Sequence, residues 1–259
     1  MAAHRSYLNT GPIYQLVPDN KKVWSYKCGE LKTDSILNPS TTDKLKNDEM
    51  NHVSISIMSI NNGREPFTSV QVEKNIYLCT DLIYKYHINP RHVIALSDWT
   101  LGDSIAPGPY FPWQKFAAHG IGLWSNIVRK DNPDMIMSHL PSNNHITYHR
   151  EKIPALLYKF NKLGMRTSPN SMEEPNYSQL QINMLKFNLH FLGPQIIANP
   201  ELKKLYDEVL YRDPGELYAK ARLASWDENS NNILNDLLGV APIENVAIQW
   251  DAANYMAFC

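Results

Sequence analysis

One loop constrains this chain more than any other stretch. Ala106-Pro107-Gly108-Pro109-Tyr110-Phe111-Pro112-Trp113 packs three prolines and a glycine into residues 107–112. Proline fixes φ and gives up a backbone donor, so neither a helix interior nor a central strand can run through such a segment. The loop is therefore rigid and irregular, and Phe111 and Trp113 are expected to anchor it by burial. Leu96-Ser97-Asp98 lies just before it, and His119-Gly120-Ile121-Gly122-Leu123-Trp124 just after.

The segments upstream alternate between strand and helix signals. Ile13 to Val17 is a run of β-formers closed by the turn residues Pro18-Asp19-Asn20, with Val23 and Trp24 as a hairpin arm. Residues 29–49 are polar, include Pro39 and read as a long loop, of the kind that is functional or clamped by a partner. Val53 to Ile60 alternates with period two as far as Ile57, which predicts a strand with one buried face. Val72, Ile76, Leu82, Ile83 and Tyr86 predict a helix over 69–86, stopped by Asn89-Pro90. Val93 to Leu96 is continuously apolar, the pattern of a central strand.

Downstream the period becomes helical. Helices are expected over 153–164 with a glycine stop, over 180–191, over 200–211 and from Asp213 through Trp226, with a short apolar segment at 233–238. The remainder, 242–259, carries Ile243, Val246, Ile248, Trp250, Tyr255 and Phe258. An arm so rich in large apolar groups should pack on its own domain or dock on a partner. The resulting fold class is α/β (α+β): a mixed central sheet flanked by helices, a small all-α region and an extended C-terminal arm. The divisions fall at 1–130, 150–211 and 212–259.

Composition narrows the function classes. The 259 residues are 43% hydrophobic and 20% charged, which is globular composition. A net charge of −1 gives no global reason to seek nucleic acid or an anionic surface. No transmembrane segment and no secretion signal are read. Cys28, Cys79 and Cys259 are too scattered for a disulfide framework or a zinc ribbon, and Cys79 reads as a buried structural thiol. The expected setting is intracellular.

The PGPYFPW loop, followed by Gly120-Ile121-Gly122-Leu123-Trp124, resembles the zinc-dependent N-acetylmuramoyl-L-alanine amidases of type 2, relatives of peptidoglycan recognition proteins. The resemblance extends upstream through Ala3-His4 to Pro18 and Trp24, through Val53 to Gly63, and through Tyr86 to Val93. It covers roughly residues 3–125. Weaker similarity to a peptidoglycan-binding-like helical domain lies in Leu185-Lys186-Phe187-Asn188-Leu189-His190-Phe191.

What the resemblance implies about chemistry is a loss. Two histidines and an aspartate hold Zn²⁺ in the family, leaving an open position where bound water reaches a pKa near 7. The strand carrying the first histidine is read as missing, since it would precede Met1. The second histidine falls on Leu96 and the aspartate on Ala106. The glutamate falls on Met58, the lysine on Ser104, and a further histidine on Ser25. Leu and Ala cannot ligate zinc, and a thioether is a soft ligand. The chain therefore reads as a pseudoenzyme with no metal, no cofactor and no catalytic residue.

Other candidates are weaker. His139, His145 and His149 lie in an Asn/Pro-rich stretch that reads as a solvated loop. His4 matches a position the family places on a helix, and Asp98, without its histidine, reads as a brace for the following loop. The function expected is a structural or accessory subunit of a larger assembly, joined through the sheet edge near Ile55 and Ile57 and through the C-terminal arm. The alternatives are anhydromuropeptide binding and residual amidase activity. With 25 asparagines, the chain suits an AT-rich genome, and the settings considered are a mitochondrial complex and a bacterial cytoplasm.

Overall fold

The computed structural model describes residues 3–6, 12–21, 54–100, 104–125, 127, 153–165, 177–212, 215–226, 228–240 and 255–258. Val23, Trp24, Ser25, the 29–49 stretch, His139, His145, His149, Cys28 and Cys259 lie outside those residues. Five strands form one sheet: β1 (Ala3–Ser6), β2 (Ile13–Gln15), β3 (Ser54–Ser59), β4 (Val93–Ala95) and β5 (Tyr255–Phe258), in the order β2-β1-β3-β5-β4. The β1–β2 pair is antiparallel and the other pairs are parallel, so the sheet is mixed, as expected. His4, expected on a helix, lies in β1 opposite Gln15.

β5 revises the picture of an extended arm. Its residues pair in parallel with β3 on one side, Ser54↔Tyr255 to Ile57↔Phe258, and with β4 on the other, Val93↔Met256 to Ala95↔Phe258. Ile55 and Ile57 were expected at an open edge, yet β3 is paired on both sides, because a segment from the far end of the chain fills the place beside it. β4 was expected to be central and is instead last in the order. Its apolar run still has a cause. Val93 and Ala95 enter the core under the sheet, and Ile94 enters a second core on the opposite side.

The first core lies between β3, β4 and helix α1 (Ser69–Tyr86). Thr68 starts α1 with a reciprocal cap: its Oγ1 accepts from the Gln71 N–H at 3.2 Å, and Gln71 Oε1 accepts from the Thr68 N–H at 3.0 Å. His87 ends the helix in the left-handed region at φ 52°. Val72, Leu78, Cys79 and Leu82 pack with Ile55 and Ile57, both fully buried. Ser54 and Ser56 on the other face of β3 are buried too, so both faces are covered where one was expected. Asp19 ties the turn after β2 to the end of α1, accepting from Lys85 Nζ at 2.8 Å and from the Tyr86 hydroxyl.

The second core is helical. Short helices α2 (Leu96–Trp99) and α3 (Trp113–Ala118) lead to α4 (Ile153–Leu163), α5 (Tyr177–Phe191), α6 (Gly193–Ala198), α7 (Pro200–Tyr211), α8 (Glu216–Leu223) and α9 (Glu228–Val240). Leu156, Phe160, Phe187, Leu202, Tyr206, Leu223 and Leu234 share one cluster, so helices on both sides of residue 211 pack together. Asn199 caps α7, its Oδ1 accepting from the Glu201 and Leu202 N–H groups, and Pro200 sits at the first turn. α5 is unusual: every residue from 183 to 191 is buried. Such all-round burial marks a helix at the centre of its region. Among the described residues, no helix is long and apolar enough to cross a membrane.

Candidate functional site

The positions that the family resemblance ties to metal chemistry are gathered at one end of the sheet. Ser97 N–H donates to the Ala106 carbonyl at 3.0 Å, which brings Leu96 and Ala106 to one place. Ile57, Phe258 and Ala95 form the last described row across β3, β5 and β4. Met58 and Leu96 each follow that row by one residue, so both stand at the same end. Ser104 is half-buried two residues before Ala106.

Their chemistry does not suit the ion. Leu96 and Ala106 present hydrocarbon, and Met58, 41% exposed, presents a thioether. Zinc in a hydrolytic site needs nitrogen, oxygen or thiolate donors, so these side chains do not fit it. Two ligands of one metal must also come from neighbouring elements. The strand beside β4 is β5, whose sequence Tyr255-Met256-Ala257-Phe258 holds no His, Cys, Asp or Glu. Among the described residues, no three His, Cys, Asp or Glu side chains come together.

Polarity is concentrated one step away, where the PGPYFPW loop meets α5. Asp98 is buried and accepts the Ala95 N–H at 2.9 Å, closing the first turn of α2. The same carboxylate takes Nδ1 of His190 at 2.9 and 3.0 Å. Four residues earlier on α5, Lys186 buries its ammonium and donates to the Thr100 carbonyl at 2.6 Å. The His190 ring stacks on Trp113, with centroids 4.3 Å apart. His190 also lines a small cavity, together with Asp98, Val93, Ile94, Leu123 and Met165. Asp98, expected as a brace for the following loop, thus braces both α2 and the helical region. Sequence reading missed the pairing with His190. The available signal was three polar residues, Lys186, Asn188 and His190, inside an apolar helical run.

The loop itself is a seam between the two cores. Phe111 and Trp113 are buried as expected and pack with Phe67 and Phe116. From the helical side Tyr206 donates its hydroxyl to the Gly63 carbonyl at 2.9 Å. Gly108 holds φ +81°, and a Cβ there would lie 2.9 Å from the Tyr206 hydroxyl oxygen, so the loop can close on that tyrosine only with glycine. Burial pushes the Tyr206 phenol well above its ordinary pKa, which leaves it a donor throughout the neutral range. Cys79 is buried among apolar groups, and that burial raises its thiol pKa strongly, as suits a structural cysteine.

Residues 2–109, which supply four of the five described strands and the first half of the seam loop, match the sequence model of the N-acetylmuramoyl-L-alanine amidase family. That stretch is similar to the family over about two-fifths of the chain. The amidase AmiD of Escherichia coli K12 is 32% identical over 126 residues, which span 45% of this chain and 41% of AmiD, so the match covers about two-fifths of that relative. Two solved amidase structures share the fold over 90% of this chain, each with a TM-score of 0.57. One is E. coli AmiD in complex with the substrate anhydro-N-acetylmuramic acid-L-Ala-D-gamma-Glu-L-Lys, at 21% identity and 75% of its own length. The other is AmpDh3 of Pseudomonas aeruginosa in complex with anhydromuramic pentapeptide, at 19% identity and 74% of its length. The amidase fold therefore extends past the family match and into the helical region.

Proposed function

We propose that this chain is a pseudoenzyme: a non-catalytic structural or accessory subunit of a larger protein assembly, built on the amidase scaffold. One observation carries the reading. The Ser97–Ala106 hydrogen bond holds positions 96 and 106 together, and both carry only hydrocarbon. Asp98, the acidic residue two positions after Leu96, is engaged by His190 and the Ala95 N–H. Purification of the native chain from its own source, with sizing and mass spectrometry of its companions, tests this. Recovery in a fixed-stoichiometry complex, mitochondrial or bacterial, supports the reading. A free protein near 30 kDa, or bound zinc together with hydrolysis of anhydromuropeptide, overturns it.

A second reading is retained muropeptide binding without hydrolysis. Tyr14 and Met58 share one register level on either side of Arg5, and both are exposed, so two large side chains flank that position on one face. Titration calorimetry with anhydromuropeptide would give saturable heat under this reading. Absence of heat up to millimolar ligand removes it.

A further inference from the structure

β5 lies between two walls, β3 and β4, and both of those strands precede it in the chain. β3 and β4 are joined through α1 and share the core beneath it, while β5 comes from beyond the whole helical region. Both walls present a row of backbone donors and acceptors, and four residues satisfy both rows. Left empty, each wall is an unpaired strand edge, which templates pairing with any extended segment of suitable register.

We propose that the β3–β4 opening is a strand-receiving site whose partner is a second copy of this chain, entering with its own Tyr255–Phe258. Each copy carries one opening and one matching strand. Exchange therefore closes at two copies related by a two-fold axis, with every pairing in the sheet preserved. The exchanged and closed forms differ in which copy supplies β5. The tether sets the balance. A short tether holds its own strand at an effective concentration on the order of millimolar, so dilute protein closes on itself and concentrated protein exchanges during folding. The inference is independent of whether the amidase scaffold hydrolyses anything.

A mixed-cysteine experiment decides it. In a full-length background with Cys28→Ser, Cys79→Ala and Cys259→Ser, one preparation carries Ser56→Cys and a second carries Ala257→Cys. These two positions are register partners across β3 and β5, and strand spacing lies within the span of a disulfide. Co-refolding followed by oxidation should give a covalent dimer whose share rises with protein concentration. Both substitutions in one chain at low concentration should give a covalently closed monomer. Closure within one chain but no dimer in the mixture up to millimolar protein overturns the proposal. Failure of the single chain to close overturns it as well, because β5 would then not occupy the opening. Sedimentation of the unsubstituted protein after refolding at high concentration guards against misfolded variants: a dimer that persists on dilution is expected, and monomer alone refutes exchange.

Discussion

The end of the sheet and helix α5 have exchanged the polarity each would be expected to carry. At the positions that the family resemblance ties to metal ligands, this chain has Leu96 and Ala106; where a central helix needs hydrocarbon, it has Lys186, Asn188 and His190, all buried. Asn188 Nδ2 donates to the Leu223 and Ser225 carbonyls, Lys186 to the Thr100 carbonyl, and His190 engages Asp98. A buried polar group costs free energy unless it is paired, so these side chains are tolerated because each has a fixed partner. Two of the three, Lys186 and His190, tie the helical region to the segment after β4, whereas Asn188 ties helices to one another.

The largest effect should come from removing the ring both cores touch. Trp113→Ala deletes the contact with His190 on one side and with Phe111 on the other, and should cost about 3–5 kcal/mol in denaturant unfolding. Two separated transitions in that variant would break the comparison, because the cores would then stand apart. Asp98→Ala leaves the His190 Nδ1 and the Ala95 N–H without their acceptor. A loss of roughly 3 kcal/mol is expected, and a double-mutant cycle with His190→Ala should show clear coupling. Additive losses would mean that the pair is incidental.

Two further substitutions probe the seam at Tyr206. Gly108→Ala forces a side chain into positive φ and against the hydroxyl, at a cost of about 2 kcal/mol. Tyr206→Phe removes only the bond to Gly63 and should cost about 1 kcal/mol. Equal costs would place the strain elsewhere. In the first core, the raised Cys79 pKa predicts that stability is full below the unfolded thiol value of about 8.5 and falls above it, by at most about 1.4 kcal/mol per pH unit. Cys79→Ala should flatten that alkaline decline, measured by urea midpoints. Met58→Glu should be nearly silent, within about 0.5 kcal/mol, because the side chain is exposed. A large loss there would show that packing demands an apolar residue at position 58.

Locally signalled features were legible in the sequence. The helix at 69–86 was bounded by its stop at Asn89-Pro90, and the one at 200–211 began at a proline. The loop anchors Phe111 and Trp113 followed from three rigid prolines nearby. Positions 58 and 96, which the family resemblance ties to metal chemistry, stand at one end of the sheet, with 106 held beside 97. What was not legible is non-local. β5 is four residues with no turn signal, and its partners lie in a distant part of the chain. Nothing in the sequence of β4 reveals that its neighbour comes from there, so its apolar run read as central although it ends the sheet. The Asp98–His190 bond spans 92 positions and joins two residues that look unremarkable apart. α6 begins at Gly193-Pro194, a pair that reads as a break but starts a helix.

The place of β5 also dictates an order of events during synthesis. β1 to β4 emerge from the ribosome first, yet their sheet cannot be completed until residues 255–258 follow the entire helical region. Helices α4 to α9 close on contacts near in sequence and can form early, whereas the amidase sheet carries the long loop-closure cost and waits. The part of the molecule made first is thus finished last, and in the interval its Ile55–Ile57 edge stands open to any chaperone or neighbouring nascent chain.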